Sequence, residues 1–554
     1  MSKFVAADIP RLYKKYGSLS AICRGENVSY FYTHSRYATA VKQKLMPALD
    51  MGRKTHQALK KPVVTQRDKA LRTKKDNHHT YILTCAQNNT DVHVKTWENL
   101  VALADYADAK LLVSQFMYTK RGLGSRNDKL QLKRSSAVRS LVEEVWYDPR
   151  VVPYISNDRV EIAKGLVWCG ELNIIPTAVS PLTGLESYTG RRSMIAPHVT
   201  QQLSCVATYG EGDGAKINYC TGTVTQRNYI QRKEGFKAEF HHTYGALFVE
   251  VDEDGHWWVR QLNADSDGVI YHIDGDDVVQ IKDGKITGGH RVLSITGGDT
   301  HEDEKDPVVH DVKYRKGGMI DVLNPQFNFV HDVLNFARRS HHNIKDPYFM
   351  IEQFVKKTES VDQELFQVRT FLEDIKRPDT LTVVVDSNHD RHLHRWLAEN
   401  DGRKDPVNAR CWSKLNDLLV DLIYEGRGEQ LFRFAMNNGN VSWEAKHHVK
   451  FLLEDEGFLT AKGIGDGIEN GMHGDRAANG ARGNVRSFAK MGRRSNVAHS
   501  HTCAIFQGCY MAGTNSKKKL RYNRGPSSWT QSDIITFENS KRCIVTFAFG
   551  KWHA

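Results

Sequence analysis

The sequence lacks several features that would directly indicate a class of protein, such as a membrane, secreted or disulfide-linked protein. It has no run of 18 apolar residues, so the sequence predicts no transmembrane helix and no membrane partner. It also has no basic-then-apolar N-terminal segment with a cleavage site, which argues against secretion. Its nine cysteines include no CxxC pair, a pattern typical of reduced thiols rather than of a disulfide framework or a zinc knuckle. We therefore expect a cytoplasmic protein.

The length and charge of the chain limit its organisation and its partners. At 554 residues the chain is too long for one ordinary core, so two or three domains are expected. Its hydrophobic content of 40% is typical of a globular protein rather than a disordered one. A formal net charge of +12 and a pI of about 9.1 favour a polyanionic partner.

Residues 1–40 are predicted to be helical. A first helix ends at Gly17, a short second helix follows, and a turn at Asn27 precedes a third helix. This order resembles a helix-turn-helix, in which the third helix would contact DNA. A plain helical or oligomerisation element is the alternative.

Three further parts follow along the chain. Residues 41–75 form a predicted basic linker, because positions 42 to 75 hold eleven Lys or Arg and only two Asp. This linker is either a solvated face or an arm that tracks phosphates. Residues 76–288 contain a strand–helix–strand unit and hairpins, which predict a mixed α/β domain without a convincing catalytic motif. Because the first 288 residues could build subunit contacts, a homo-oligomer is a further expectation.

Five polar clusters occur in order within residues 289–554, mostly after predicted strands. Their candidate side chains are Asp299 and His301, then Asp332, then Asn388 and His389, then His473, and last His499 and His501. Carboxylate, amide and imidazole ligands without a thiolate suit Mn²⁺, Fe²⁺ or Zn²⁺ better than Ca²⁺. In Asp-x-His and His-x-His, two side chains leave the backbone in similar directions and can chelate one ion. Without His389, seven candidate ligands remain, which are too many for one ordinary site but fit two ions that share a carboxylate.

The order Asp-x-His, Asp, Asn-His-Asp, His, His-x-His resembles the calcineurin-like metallophosphoesterase superfamily, in its SbcD-type nuclease branch. The superfamily pattern is DxH, GDxxD, GNH[DE], an isolated His and GHxH. This chain has Ser387 and Ala498 where the pattern has Gly, and "HDVLN" is its poorest match. Asp332 is chosen in that motif because it ends a strand-like run, and Asp321 is the alternative. The resemblance implies an α/β chain whose C-terminal part, 289–554, is a β-sandwich flanked by helices.

The resemblance also implies a role for each residue of the clusters. One ion would be held by Asp299, His301 and His501. A second ion would be held by Asn388, His473 and His499. The ligand shared by both ions would be Asp332. The catalytic residue that faces the leaving group would be His389, and Asp390 would steady His389 or its loop.

Three groups of basic side chains favour DNA as the phosphoester substrate. Arg476 and Arg482 lie in a glycine-rich loop between two ligand clusters, where they would line the mouth of the site. The run "ARRSHH" offers Arg339, His341 and His342 as groups that could grip a phosphate. Near the end of the chain, "SKKKLRYNRG" mixes Lys and Arg with a tyrosine, as surfaces that follow a nucleic-acid backbone do.

The chain as a whole resembles phage-encoded metallophosphoesterases that degrade host DNA. This resemblance implies a DNase with two divalent ions, Mn²⁺ first and Mg²⁺ as the alternative, in the cytoplasm of an infected bacterium. A phosphodiesterase or phosphatase that acts on nucleotides or phosphoproteins is the second hypothesis. The third is a non-enzymatic DNA-binding regulator that uses the N-terminal helices.

Overall fold

The computed structural model describes residues 4–17, 19–28, 30–47, 74–118, 146–209 and 214–554. The chain divides into two compact units, Met1–Leu71 and Arg72–Ala554. Most of the predicted basic linker lies outside the described residues.

In the described part of the N-terminal unit, three α-helices lie at the positions that the sequence predicts. Their bounds are Ile9–Tyr16, Leu19–Gly25 and Tyr30–Lys42. Gly17 ends the first helix in a left-handed conformation with a φ of 74°, and Asn27 adopts a φ of 50° at the predicted turn. The apolar faces of the helices pack into a small core of their own. The contact of the third helix with DNA stays a prediction.

The larger unit, Arg72–Ala554, is mixed α/β, as predicted. Its strands before residue 289 are β1 Lys74–Lys75, β2 Thr80–Gln87, β3 Lys110–Phe116, β4 Arg159–Ala163, β5 Leu166–Cys169, β6 Ser193–Ala196, β7 Leu203–Val206, β8 Lys216–Cys220, β9 Gly245–Val251, β10 Trp257–Asn263, β11 Ile270–Asp274, β12 Asp277–Lys282 and β13 Lys285–Thr287. Its later strands are β14 Ser294–Asp299, β15 Phe327–His331, β16 Leu381–Val384, β17 Val449–Phe451, β18 Leu459–Thr460, β19 Ile468–Glu469, β20 Arg494–Val497, β21 Ala504–Phe506, β22 Cys509–Met511, β23 Ser532–Thr536 and β24 Arg542–Thr546.

The helices of this unit lie mostly between the later strands. Their bounds are Val94–Tyr106, Lys233–Phe240, Pro307–Tyr314, Met319–Leu323, Pro347–Lys356, Val361–Asp374, His392–Glu399, Ala409–Tyr424, Leu431–Asn437, Val441–His447 and Val485–Phe488. Of the helices described in both units, none is long and apolar enough to cross a bilayer.

The middle of the chain folds locally as its sequence patterns predict. The strands β2 and β3 are parallel neighbours, with the helix Val94–Tyr106 between them in the chain. This is the predicted strand–helix–strand unit. The strands β9 and β10 form the predicted antiparallel hairpin, in which Gly255 adopts a φ of 78°.

A six-stranded sheet, in the order β17-β16-β15-β14-β23-β24, carries the first three polar clusters. Its strands β14, β15, β16 and β17 are parallel neighbours, and β23 and β24 complete it in antiparallel pairs. All six residues of β14 are buried, as is typical of strands covered on both faces. Because the carboxyl ends of parallel strands meet at one edge, the residues that follow β14, β15 and β16 come together there.

An eleven-stranded sheet carries the last two clusters, in the order β1-β4-β5-β6-β8-β7-β21-β22-β20-β19-β18. It combines strands from both sides of residue 288, and β7 meets β21 where Leu203 pairs with Ile505. This sheet therefore crosses residue 288 within the compact unit Arg72–Ala554. Strands from the middle of the chain extend the sheet that holds His499 and His501.

The two large sheets share an apolar core. Ile534 of the six-stranded sheet and Ile505 of the eleven-stranded sheet belong to the same buried cluster. A buried polar contact adds a second link, since Asn470 Oδ1 accepts hydrogen bonds from Thr296 Oγ1 at 3.0 Å and from Asn496 Nδ2 at 2.9 Å. A satisfied buried network of this kind rigidifies the junction and fixes how the sheets meet.

A buried ion pair lies beneath the carboxyl edge of the six-stranded sheet. The distance between Lys313 Nζ and Asp533 Oδ2 is 2.5 Å, and both side chains are fully buried. Asp533 Oδ1 also accepts a hydrogen bond from the Gly298 amide at 2.9 Å. The pair therefore supports the backbone immediately before Asp299.

We expect Lys313→Met to lower the free energy of unfolding by about 3–5 kcal/mol, because Asp533 would stay buried without its partner. Urea unfolding of metal-free protein measures this change. The matched control is Lys316→Met at an exposed position three residues later, which should cost less than about 0.5 kcal/mol. Equal costs in the two variants would show that Lys313 does not compensate the Asp533 charge.

Candidate metal centre

The loops after β14 and β15 bring the first two clusters into contact. Asp299 ends β14, and His301 follows it in the loop. The His301 amide donates a hydrogen bond to the Asp332 carbonyl oxygen at 2.7 Å, so the two loops are joined directly. The side chains of Asp299 and His301 are fully buried, and that of Asp332 is 1% exposed.

Four of the predicted ligands adopt a left-handed backbone conformation. The φ angles are 44° for His301, 44° for Asp332, 71° for His499 and 55° for His501. Each such residue costs on the order of 1–3 kcal/mol, and the conformation persists only where neighbours enforce it. One such contact is the His499 amide, which donates to Asp299 Oδ1 at 3.1 Å. Backbone strain of this kind concentrates at functional sites.

The first group of potential ligands consists of Asp299, His301, Asp332 and His501. One ligand atom from each of them lies within 4.8 Å of all the others. His501 Nε2 is 2.9 Å from Asp299 Oδ2 and 3.2 Å from His301 Nε2. His301 Nε2 is in turn 3.8 Å from Asp332 Oδ2. The structure thus brings together residues that are as much as 202 positions apart in the sequence, counting from 299 to 501.

The second group consists of Asp332, His473 and His499, with Asn388 beside it. His473 Nε2 is 3.3 Å from Asp332 Oδ2 and 3.2 Å from His499 Nδ1. Asn388 Oδ1 lies 3.0 Å from the same His473 nitrogen. Asp332 is a member of both groups, so all seven predicted ligands meet around one shared carboxylate.

The spacing of these atoms fits divalent ions. Protein ligands bind such ions at about 2.0–2.2 Å, which separates two ligands of one ion by about 3–4 Å. The distances in the first group run from 2.9 to 3.8 Å. Asp332 Oδ1 is buried without a hydrogen-bond partner in the described part of the chain, although such an atom nearly always has one. The buried His and Asp groupings could therefore bind metal ions, as predicted.

Buried negative charge controls protonation in the metal-free pocket. Burial alone lowers the pKa of His473, but the carboxylates of Asp332 and Asp299 outweigh it and raise that pKa to about 10. Burial and the neighbouring His389 lower the pKa of His301 to about 3. The pocket therefore keeps a proton on His473, which a bound cation would displace.

We expect this proton to make the stability of the metal-free protein depend on pH. The folded-state pKa of His473 is raised from 6.5 to about 10, so its contribution is complete below about 6.5 and is lost as the pH rises through about 10. The thermal unfolding midpoint of EDTA-treated protein should fall across this range. His473→Gln should remove this decline, and an unchanged decline in that variant would assign it to other groups.

His389 lies beside the first group without belonging to it. Its ring centroid is 4.6 Å from that of His301. Its Nδ1 lies 2.8 Å from the Asn335 carbonyl oxygen, and because a carbonyl oxygen only accepts, this nitrogen must carry a proton. The Nε2 atom is therefore the one left to act on a bound molecule.

Asp390 braces the loops around His389. Its Oδ1 accepts from the Leu334 amide at 3.2 Å, and its Oδ2 accepts from Ser387 Oγ at 2.8 Å. The carboxylate therefore joins the loop after β15 to the loop after β16, and it is the Asn335 carbonyl that holds the His389 ring. Ser387 does not adopt a positive φ, so the missing glycine of the superfamily pattern is not required here.

The alternative carboxylate of the second motif lies away from the centre. Asp321 sits on the helix Met319–Leu323, where it pairs with Arg377 and accepts from the Gly317 amide at 2.7 Å. Asp332, by contrast, contributes to both ligand groups.

The basic side chains predicted to bind substrate fall into different environments. Arg339 is 2% exposed, and its Nε lies 2.5 Å from Asp405 Oδ2. A buried guanidinium requires such a partner, so Arg339 has a structural role and the prediction that it grips a phosphate is not supported. Arg476 is exposed and pairs with Glu454. Arg482 is exposed and lies across an isolated β-bridge from Arg476.

The rings of His341 and His342 are neighbours, with centroids 3.7 Å apart. The ring of His341 is also 5.0 Å from that of His392. The ring of His392 is 4.9 Å from that of His389. The two predicted substrate-binding histidines are therefore near the centre.

Sequence reasoning missed two contributors to the site. His331 is buried, and its Nδ1 lies 3.4 Å from His473 Nδ1. The only feature of the sequence that pointed to this residue was its position next to Asp332, a predicted ligand. Arg391 pairs with both Asp386 and Asp475, and so connects the loop after β16 to the loop of His473. This pairing gives Asp386 a structural role.

A row of aromatic rings leads from the centre towards the surface. The ring of His501 is 4.1 Å from that of Trp529, which is 5.8 Å from that of Tyr522. Tyr522 is 58% exposed and belongs to the basic run "SKKKLRYNRG". Lys518 and Lys519 of that run are exposed, and no ion partner for them occurs among the described residues.

Sequence comparison adds a relative. The chain is 33% identical over 483 residues to Protein A1 of Escherichia phage T5, an alignment that covers 86% of this chain and 83% of that protein. The chain belongs to the Protein A1 family. The relationship links it to a phage protein over both its middle and its C-terminal parts. Neither a protein-family profile nor a solved structure matches this member of the Protein A1 family.

Proposed function

We propose that the chain is a metallophosphoesterase that hydrolyses the phosphodiester bonds of DNA with two divalent metal ions. The observation that carries the proposal is the pair of buried His and Asp groupings that share Asp332, the arrangement that the metallophosphoesterase resemblance implies. Membership of the Protein A1 family supports a role in phage infection, which we propose to be the degradation of host DNA.

The two ions would be held by the two groups of residues that the interatomic distances define. One ion would be held by Asp299, His301 and His501 and the other by Asn388, His473 and His499, and Asp332, a member of both groups, would serve both. When bound, the two ions supply positive charge for the phosphoryl oxygens and lower the pKa of a water molecule. We propose Mn²⁺ as the metal and Mg²⁺ as the alternative, since the carboxylate and amide oxygens suit both ions and the mixed set with imidazole suits Mn²⁺, Fe²⁺ or Zn²⁺ better than Ca²⁺.

His389 is proposed to assist the departing oxygen. The Asn335 carbonyl fixes its tautomer and orientation through Nδ1, which leaves Nε2 to carry the proton that the leaving group takes. Asp390 keeps this arrangement in place indirectly, because it joins the loops after β15 and β16. A protonated His389 would also place a positive charge beside the oxygen as it leaves.

DNA is favoured over a smaller phosphoester by the surface near the centre. The net charge of +12 suits a polyanion. Tyr522 and Trp529 offer ring faces on which bases can stack, and Lys518 and Lys519 lie in the same segment. A hydrolase of small phosphoesters has no need of such a surface.

We expect Tyr522→Ala to weaken the binding of a single-stranded oligonucleotide by about 1–3 kcal/mol, the usual contribution of one stacked base. Fluorescence anisotropy measures the affinity, and hydrolysis of bis(p-nitrophenyl) phosphate, which has no bases, should be unchanged. Tyr424→Ala is the matched control, because this tyrosine is 89% exposed at the end of the helix Ala409–Tyr424. Equal affinities for the two variants would contradict the stacking role.

A substrate panel separates the proposal from its alternatives. Purified protein is incubated with linear duplex DNA, circular duplex DNA, a nucleotide and a phosphoprotein, each with Mn²⁺, Mg²⁺ or EDTA and across a salt series. A DNase degrades DNA less well as salt rises, whereas a phosphatase leaves DNA intact and a regulator binds it without cleavage. Cleavage of linear but not circular DNA would mark an exonuclease, and absence of DNA cleavage with every metal would overturn the proposal.

We also propose where the enzyme acts and how it assembles. Its substrate would be met in the cytoplasm of the infected bacterium, and the N-terminal unit and the middle of the chain are proposed to build a homo-oligomer. Light scattering of the purified chain during gel filtration measures its mass, and a mass of one chain at micromolar concentration would contradict the oligomer.

A further inference from the structure

A second cluster of imidazoles lies beside the proposed metal centre. It consists of His341 and His342, which follow β15 in the chain, and His392, the first residue of the helix His392–Glu399. One nitrogen from each ring lies within 4.8 Å of the other two. These three residues, the three-histidine cluster, share no member with the two groups around Asp332.

The rings of this cluster have nitrogens without partners. Nδ1 of His341 and Nδ1 of His392 are buried and have no hydrogen-bond partner among the residues that the structure describes. Buried polar atoms in native proteins nearly always have one, and each exception needs an explanation such as an ion. These two nitrogens are therefore available as ligand atoms.

The chemistry of the cluster differs from that of the centre around Asp332. Its ligand atoms are all imidazole nitrogens. The nearby carboxylate of Glu399, on the same helix as His392, pairs with Arg395 at 2.8 Å and adds no oxygen ligand. Imidazole ligands suit Zn²⁺, Co²⁺ and Ni²⁺, whereas Mg²⁺ and Mn²⁺ prefer oxygen.

We propose that His341, His342 and His392 form a third metal site, which takes a borderline divalent ion such as Zn²⁺. Three imidazoles leave the fourth position of a tetrahedral ion to water or to a phosphate oxygen. Ring contacts connect the site to the centre, with centroid distances of 4.6 Å from His301 to His389 and 4.9 Å from His389 to His392. A phosphate bound to this ion would lie next to the phosphate that is cleaved. That consequence rests on the proposed function, whereas the binding of the ion does not.

Zinc content tests the site directly. EDTA-treated wild-type protein and two variants are equilibrated with Zn²⁺, desalted and analysed by mass spectrometry of the metal. His342→Ala removes an exposed ligand and should bind about one ion fewer than wild type. His394→Ala, an exposed histidine on the helix of His392, is the matched control and should bind as much as wild type. Equal zinc contents of His342→Ala and wild type would overturn the proposal.

A second comparison separates this site from the proposed function. Asp332→Asn should lose the ions of the centre and keep the ion of the three-histidine cluster. If the cluster binds zinc but the centre around Asp332 binds no metal, the zinc content of Asp332→Asn will equal that of wild type. His342→Ala will still bind about one ion fewer than wild type. Circular dichroism at the assay temperature shows whether each variant is folded. His392→Gln is a second test of the cluster, because it removes the ligand on the helix His392–Glu399 rather than one of the two that follow β15.

Discussion

Asp332→Asn should reduce DNA hydrolysis to the level seen with EDTA. Asp332 Oδ2 lies 3.3 Å from His473 Nε2 and 3.8 Å from His301 Nε2, so this carboxylate belongs to both ligand groups. An amide keeps the shape of the side chain but removes the negative charge that two adjacent cations require. Both the metal content of the centre and the rate should therefore fall, as measured by metal analysis and by loss of labelled duplex.

The control for this experiment is Asp321→Asn. Asp321 was the alternative carboxylate in the sequence, and it pairs with Arg377 away from the centre. Its variant should keep the metal content and the rate of wild type. A wild-type rate in Asp332→Asn, or a loss confined to Asp321→Asn, would show that the shared ligand has been assigned to the wrong residue.

His389→Ala should keep both ions of the centre and lower the rate of DNA hydrolysis by about 10²–10⁴-fold, the usual contribution of a positioned acid. His389 adjoins His301 but belongs to neither ligand group. Metal content after equilibration with Mn²⁺ checks the first part, and single-turnover cleavage of a labelled duplex checks the second.

The leaving group provides a further check on His389. Hydrolysis of bis(p-nitrophenyl) phosphate releases p-nitrophenolate, a much better leaving group than a sugar alkoxide, so it needs less help from an acid and should fall less in His389→Ala. His394→Ala, at an exposed position five residues along the chain, should leave both reactions unchanged. DNA cleavage by His389→Ala at the wild-type rate would exclude His389 from the reaction.

The grouping of the candidate ligands could be predicted because its signals are local. Asp299 and His301, like His499 and His501, are two positions apart, and Asp332 directly follows a short apolar strand. Parallel strands bring such positions to one sheet edge, so the order of the clusters indicates which side chains meet. The same holds for the β9–β10 hairpin, in which the turn at Gly255 determines the pairing.

Other features depend on contacts that no local pattern encodes. Arg339 appeared to be available for a phosphate, but Asp405, 66 positions away, pairs with it in the interior. His392 joins His341 and His342 only because the loops after β15 and β16 meet. The eleven-stranded sheet likewise crosses the predicted boundary at residue 288, since Leu203 and Ile505 pair over 302 positions, counting from 203 to 505.

Metal add-back with a duplex DNA substrate measures whether the centre around Asp332 needs divalent ions to cleave DNA. Wild-type protein is freed of metal with EDTA and mixed with labelled duplex DNA, and then Mn²⁺ is added. We expect no cleavage before the addition, rapid cleavage after it, and none at any stage with Asp332→Asn. Intact DNA after the addition of Mn²⁺ or Mg²⁺ to wild type, or cleavage by Asp332→Asn at the wild-type rate, would contradict it.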